Sequence, residues 1–198
     1  MSAHSIAVTN RAGAVLCSCV EVTVAARGTS VGALREPGAF ERLFRSEYAR
    51  VTGIAHRVLA DAALAEDVAQ EVFVDFHRRH PADAPWAAAW LHRAAAHAAL
   101  NAVRARGRRA GRERVEAHPL GTGADPAETT LARERTAAVR AALARLPERT
   151  AELLVLRYSG LSYAEVAAAT GVAATSVGTL LRRAEDAFRK EVGDERDI

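Results

Sequence analysis

The sequence predicts an all-α protein made of two small helical domains, a helical bundle and a helix-turn-helix domain, joined by a flexible linker. Alanine, the strongest helix former, supplies 46 of the 198 residues, whereas aromatic residues make up only 5%. Apolar residues recur at spacings of three and four over two long stretches, as they do on the buried face of a helix. Glycine and proline fall mostly outside these stretches and mark residues 110–130 as the linker.

Residues 39–109 are predicted to form the first domain, after an N-terminal extension of residues 1–38 that is expected to be poorly ordered. The first helix has apolar residues spaced by three and four: Phe40, Leu43, Phe44, Tyr48 and Val51. Asp61 is a suitable N-cap for a second helix. The inward residues of that helix are Leu64, Val68, Val72 and Phe76. A third, long helix is predicted from about Pro85 to Arg106, ending at Gly107.

Residues 131–192 are predicted to form the second domain. The inward face of its first helix comprises Leu131, Val139, Leu143 and Leu146. Pro147 suits the first position of the next helix, which Gly160 ends. Both domains are basic, and the basic residues of the chain are 26 arginines and one lysine. Arginine suits phosphate and base edges, although a GC-rich genome would produce the same bias.

Several classes of protein are excluded by the sequence. The sequence contains no run of 18 apolar residues, which is the length that a membrane-spanning helix needs. Two cysteines cannot build a disulfide framework, so a folded, cytoplasmic protein is expected. Cys17 and Cys19 could supply half of a metal site, but no matching His or Cys pair completes it. The common catalytic motifs do not occur, so we expect no enzymatic activity, catalytic residue, metal or cofactor.

Residues 161–184 carry the sharpest local pattern, which is that of a helix-turn-helix. Ser162 and Glu165 have the spacing of a capping box, which begins a helix. The motif then needs a small residue where the two helices cross, a glycine at the turn, and an apolar residue that packs the second helix against the first. Ala167, Gly171 and Val177 meet these needs in that order. The second helix would lie in the major groove of DNA. The alternative is a helical hairpin that binds no DNA.

One face of the long third helix carries a stripe of polar and aromatic residues at spacings of three and four. The stripe consists of Trp90, Arg93, His97, Asn101, Arg104 and Arg108. Cations spaced in this way can neutralise successive phosphates, and a tryptophan can stack on an unpaired base. The alternative is a solvated helix face beside a core tryptophan, and for Trp90 itself the pattern favours the core.

Residues 65–73 contain an acidic face. The apolar residues of the second helix, from Leu64 to Phe76 at spacings of four, point inward. Asp67, Gln70 and Glu71 fall on another side of the helix. Because carboxylates repel phosphate, this face indicates docking on a basic protein surface rather than contact with DNA. The alternative is a plain solvated face.

Taken in order, these segments resemble the extracytoplasmic-function (ECF) sigma factors of bacterial RNA polymerase, which belong to the sigma-70 family. Three segments are similar to the sigma-2 domain: Phe40 through Tyr48, residues 65–73 (AEDVAQEVF), and Trp90-Leu91. Four segments are similar to the sigma-4 domain: Leu146-Pro147, Leu156-Arg157-Tyr158, residues 161–167 (LSYAEVA), and Arg183-Ala184. The resemblance covers about residues 39–190.

The resemblance implies that the chain binds core RNA polymerase, through its β′ and β subunits, and directs promoter-specific initiation without catalysis of its own. Asp67, Gln70 and Glu71 would contact the clamp helices of β′. The loop at residues 77–86 and the stripe would bind the −10 element of promoter DNA, and an anti-sigma factor is a further implied partner. The alternative function, a helix-turn-helix regulator that acts without polymerase, has no use for the acidic face.

The second helix of the helix-turn-helix would read the −35 element. Val177, Leu181 and Ala184 fall on its packed side. The groove-facing positions are then Thr175, Ser176, Thr179, Arg182 and Arg183. Arg182 is the candidate for base recognition, because arginine can bind a guanine edge with two hydrogen bonds, while Arg183 is expected to bind phosphate.

Overall fold

The structure is a computed structural model that describes residues 38–113 and 130–193. These residues form helices and no strand, which confirms the predicted all-α fold. The helices are α1 (Ala39–Leu59), α2 (Ala62–Arg79), α3 (Ala87–Glu113), α4 (Thr130–Arg145), α5 (Glu148–Tyr158), α6 (Tyr163–Thr170) and α7 (Ala174–Gly193). The predictions made for the N-terminal extension with Cys17 and Cys19, and for most of the linker, lie outside the described residues.

The first bundle consists of α1, α2 and α3. Asp61 caps α2 as predicted, because its Oδ1 accepts a hydrogen bond from the Leu64 N–H at 3.1 Å. The inward face of α2 is buried apart from the half-buried Leu64: Val68, Val72 and Phe76. The aromatic residues of α1 are half-buried and surround the ring of Phe73, with centroids 4.8–6.3 Å from it: Phe40, Phe44 and Tyr48.

The third helix is longer than the sequence predicts. Gly107 does not end α3, which continues to Glu113. A single glycine inside a helix costs about 1 kcal/mol relative to alanine, and the alanine and arginine residues on both sides offset that loss. Arg106 also anchors this end of the helix, since its Nη2 lies 3.6 Å from Oδ2 of Asp61 at the start of α2.

The second bundle consists of α4, α5, α6 and α7. Leu143 and Leu146 are buried as predicted, but Val139 is 43% exposed. Val139 borders an apolar groove of about 510 Å³ between α4, α5, α7 and the end of α1, so it lies beside the core instead of inside it. Pro147 is the N-cap of α5, one residue before the predicted position, and Gly160 follows the helix with a φ of +92°.

Helices α6 and α7 form the predicted helix-turn-helix. The Ser162 hydroxyl accepts a hydrogen bond from the Glu165 N–H, and the Glu165 carboxylate accepts one from the Ser162 N–H, so the capping box is complete. Gly171 has a φ of +71°, which few residues besides glycine adopt, and it provides the turn. Helices α6 and α7 meet at an angle of 90°.

No single helix among the described residues is long and apolar enough to cross a membrane.

The two bundles pack against each other. Helix α3 of the first bundle contacts α4, α5 and α6 of the second, and α1 contacts α5. The seven helices of the described residues lie in one compact unit. The two sets of helices that the sequence predicts therefore share an interface, in addition to the linker expected between them.

Candidate functional site

The acidic face of α2 points away from the core of the first bundle. Asp67, Gln70 and Glu71 are all exposed, whereas the residues on the opposite side of the helix are buried. Val74, one turn further along this face, is 48% exposed and adds an apolar contact surface beside the carboxylates. A surface that combines exposed charge with an exposed apolar side chain is suited to binding another protein.

The aromatic end of the α3 stripe lies against the turn before the helix. Trp90 is half-buried, with its ring 5.4 Å from that of Phe76 and 4.9 Å from that of His80. Trp86 lies beside it, 44% exposed, and its ring is 5.1 Å from that of His80. Trp86 stands four residues before Trp90 and continues the same spacing, but the predicted stripe does not include it, and it lies in the turn before α3. Trp86 is therefore the more accessible stacking surface of the two.

The middle of the stripe meets two glutamates of α5. Nδ1 of His97 lies 2.5 Å from Oε1 of Glu148 and 3.2 Å from Oε1 of Glu152. Nε of Arg93 lies 3.4 Å from Oε2 of Glu152, and Nε2 of His97 lies 2.8 Å from the amide nitrogen of Asn101. Because a carboxylate only accepts hydrogen bonds, Nδ1 of His97 donates and its Nε2 accepts from Asn101.

This cluster is a hydrogen-bond network around His97, with an ion pair between Arg93 and Glu152. The ligand atoms of His97, Glu148 and Glu152 lie within 4.8 Å of one another, which is a spacing that a metal ion could use. The histidine nitrogen, however, faces both carboxylates directly, and Arg93 supplies a positive charge to Glu152. Side chains of α3 thus contact both carboxylates, and Arg93 is the cation beside Glu152.

The C-terminal part of the stripe, at Arg104, contacts the end of α4. Arg104 donates hydrogen bonds to the carbonyl oxygens of Ala144 (3.3 Å, from Nε) and Leu146 (3.1 Å, from Nη2). A cation at this position satisfies carbonyl groups that the end of a helix leaves free and interacts favourably with the helix dipole. Arg108, one turn further on, is exposed.

A second charged contact joins α1 to the helix-turn-helix. Nη1 of Arg50 lies 2.6 Å from Oε1 of Glu165, the same residue that completes the capping box of α6. Hydrogen bonds from the Ser162 N–H and hydroxyl, together with Arg50, lower the pKa of Glu165 from 4.5 to about 2. Its carboxylate is therefore charged at all physiological pH values.

Helix α7 presents the predicted polar face to solvent. All five predicted groove-facing residues are exposed: Thr175, Ser176, Thr179, Arg182 and Arg183. Val177, Leu181 and Ala184 are buried, as the periodicity predicts. A Cβ atom at Gly178 would lie 3.5 Å from the ring of Tyr163, so this position packs toward α6. Tyr158, at the end of α5, donates a hydrogen bond to Glu185 of α7, and this bond raises the pKa of Tyr158.

Comparison with known proteins gives the arrangement a family. The family model of sigma-70 region 2 matches residues 43–109 of the sequence, and the family model of sigma-70 region 4 matches residues 136–187. The RNA polymerase sigma-H factor of Pseudomonas aeruginosa is 32% identical over 77% of this chain and 85% of its own length. The ECF RNA polymerase sigma factor SigM of Mycobacterium tuberculosis is 30% identical over 78% of each chain. This chain belongs to the ECF sigma factors of the sigma-70 family.

Sigma factors are non-enzymatic transcription initiation factors, and this chain belongs to them. The region 2 match contains the acidic face and the whole stripe, so the alternative of a plain helix-turn-helix regulator is not favoured. Among solved structures, the sigma factor RpoE of Bartonella quintana, in complex with the anti-sigma factor NepR, aligns with a TM-score of 0.42 and 19% identity over 78% of this chain and 96% of RpoE.

Proposed function

We propose that this sigma factor docks on core RNA polymerase through Asp67, Gln70 and Glu71, and that their partner is a basic surface of the β′ subunit. The observation that carries the proposal is the exposed acidic face itself, which lies within the region 2 match and has Val74 at its edge. Contacts with the β subunit, a cytoplasmic location and regulation by an anti-sigma factor are proposed from family membership.

Reversing one charge of the acidic face tests polymerase docking. In Asp67→Arg a favourable charge contact at a partly desolvated interface becomes a like-charge contact, which costs several kcal/mol, so affinity for core should fall by at least about a hundredfold. The helical content should not change, because the side chain is exposed. Affinity is measured by titrating labelled protein with purified core polymerase.

The matched control is Glu134→Arg, which makes the same change of charge at an exposed position of α4. It should leave core affinity unchanged. Equal affinities for the wild type and a folded Asp67→Arg variant would contradict the docking proposal.

The α3 stripe is proposed to bind the −10 element. Its six residues are Trp90, Arg93, His97, Asn101, Arg104 and Arg108. A groove of about 690 Å³ between α2 and α3 connects this stripe to the acidic face, since Glu71, Trp90 and Arg93 all line it. Trp86, exposed in the preceding turn, is added here as a stacking residue for an unpaired base.

The exposed face of α7 is proposed to read the −35 element. Arg182→Ala should cost about 1–3 kcal/mol on the cognate sequence and relax the preference at one base pair, whereas Arg183→Ala should weaken all sequences alike. Lys190→Ala, at an exposed position near the end of the same helix, is the control. Binding to a library of single-base −35 variants distinguishes them. If both arginine variants lose affinity uniformly, neither arginine reads a base, and specificity must come from the threonine and serine contacts or from DNA shape.

A further inference from the structure

We propose that this sigma factor binds a nucleoside monophosphate in a pocket beside the helix-turn-helix, and that the bound nucleotide competes with −35 DNA. The pocket, called here the α5–α7 pocket, lies between the start of α5, the turn after α6 and the side of α7 that carries Leu180 and Ala184. Its volume is about 320 Å³, within the range of roughly 300–1,000 Å³ that small-molecule sites occupy. The binding itself is independent of the proposed DNA contacts, whereas the competition rests on the proposed −35 role of Arg183.

Three arginines give the α5–α7 pocket its charge. They are Arg93 of α3, Arg149 of α5 and Arg183 of α7. Arg93 contacts Glu152, which also lines the pocket. Neither Arg149 nor Arg183 has an ion pair or a side-chain hydrogen bond among the residues that the structure describes. Three positive charges and one negative charge leave a net charge of +2 around the pocket, which attracts an anion.

The surface between these arginines is mainly apolar. Leu153 is buried, Val172 and Leu180 are half-buried, and all three border the pocket. The hydroxyl of Thr150, a half-buried residue, also lies there and makes no hydrogen bond within the described part of the chain. An apolar lining with a few polar groups is typical of sites that bind small organic molecules. A bare inorganic anion would leave this apolar surface uncovered.

Charge and lining together favour a nucleoside monophosphate as the ligand. Its phosphate carries a charge of about −1.5 to −2 at pH 7, which complements the net charge of the pocket. A guanidinium group binds two phosphate oxygens through parallel hydrogen bonds, and its plane stacks on aromatic rings. The phosphate would lie at Arg149 and Arg183, the two arginines without a carboxylate partner among the described residues, and the base would cover Leu153 and Leu180.

Arg183 belongs both to this pocket and to the proposed −35 surface. It is the one residue of the five groove-facing positions that lines the pocket. A guanidinium that holds the phosphate of a nucleotide has fewer donors left for a DNA phosphate, and the bound nucleotide adds negative charge beside the DNA. Nucleotide and −35 DNA should therefore weaken the binding of each other by the same factor.

Isothermal titration calorimetry of the full chain at low salt tests nucleotide binding. The probes are AMP, GMP, CMP and UMP, each compared with its nucleoside and with inorganic phosphate. At least one mononucleotide should bind tenfold or more tightly than either of its halves, since each half uses only the charged or only the apolar part of the pocket.

Arg149→Ala tests whether the binding occurs in the α5–α7 pocket. The variant loses a charge-assisted contact to the phosphate, so nucleotide affinity should fall about tenfold. Arg149 is exposed and lies outside the proposed polymerase and DNA surfaces, so the helical content and the DNA affinity without nucleotide should not change. The matched control is Arg135→Ala, at an exposed position of α4 outside the pocket, which should bind nucleotide like the wild type.

Fluorescence anisotropy of a labelled −35 duplex, with and without the mononucleotide, tests the competition. The duplex is the tightest binder of the −35 library. At a nucleotide concentration ten times its Kd for the wild type, the DNA Kd of the wild type should rise about fivefold. The rise should be clearly smaller for Arg149→Ala and unchanged for Arg135→Ala.

Different results would overturn the two parts of the proposal. If no mononucleotide binds, or if Arg149→Ala binds it like the wild type, the pocket is not a nucleotide site, and the −35 role of Arg183 is unaffected. Phosphate or a nucleoside that binds as tightly as the mononucleotide would contradict the assigned ligand class. If nucleotide binds through Arg149 but leaves DNA affinity unchanged, the competition is wrong. Unchanged DNA affinity of Arg183→Ala would then show that the proposed −35 role fails with it.

Discussion

Glu165 stabilises the helix-turn-helix through its charge, and the size of this effect should depend on pH. The carboxylate accepts hydrogen bonds from the Ser162 N–H and hydroxyl at 2.8 Å each and lies 2.6 Å from Nη1 of Arg50. In Glu165→Gln the capping box can still form, because glutamine also reaches back to the N-cap, so the variant isolates the charge.

The expected loss at pH 7 is about 1 kcal/mol of unfolding free energy. A charge in the first turn of a helix contributes about 0.3–1 kcal/mol, and a half-exposed ion pair contributes about 0.2–1 kcal/mol. The folded pKa of about 2 lies below the unfolded value of 4.5. Because the folded state favours the charged form, the stabilisation is complete above about pH 4.5 and is lost as the pH falls toward 2.

Urea unfolding followed by circular dichroism at pH 7, 5, 4 and 3 measures this difference between the wild type and Glu165→Gln. The gap should be constant from pH 7 to 5 and should shrink by pH 3. Glu134→Gln, at an exposed position of α4, is the control for a general loss of negative charge. A gap that stays the same down to pH 3 would refute the reasoning, because the stabilisation would then not come from the ionised carboxylate.

Two further predictions concern backbone conformation. Gly107→Ala should raise the unfolding free energy by about 1 kcal/mol, because α3 continues through this position and an added Cβ meets nothing within 4 Å. A melting temperature no higher than that of the wild type would mean that α3 ends at Gly107. Ala60→Gly should raise it by up to about 1 kcal/mol, since Ala60 adopts a left-handed conformation with a φ of +46° after α1; lower stability in urea unfolding would mean that the end of α1 does not adopt this conformation.

Periodicity predicted the parts of the fold that depend on local sequence. The buried faces of α2 and α7 and the capping box at Ser162 are all set by spacing along a single helix, which a sequence displays directly. The exposed acidic face of α2 follows from the same spacing, since its residues lie on the side opposite the buried ones.

The features that the sequence did not predict depend on contacts between helices. Glu152 has no local mark that separates it from Glu148, yet one is buried and the other exposed, because only the packing of α5 on α3 distinguishes them. Val139 fits the periodic pattern but faces a groove, since the neighbouring helices do not close over it. Arg104 was predicted from its place in the stripe, but its contacts with the end of α4 come from the interface between the bundles.

The central claim is that this chain gives core polymerase its promoter specificity, and run-off transcription tests that claim most directly. Purified bacterial core polymerase is mixed with the full chain and a library of genomic DNA fragments, with core alone and with Asp67→Arg as comparisons. Discrete transcripts with fixed start sites should form with the wild type, should be absent with core alone, and should be strongly reduced with Asp67→Arg. Sequence-specific DNA binding by the chain alone, without transcripts when core polymerase is present, would contradict the account.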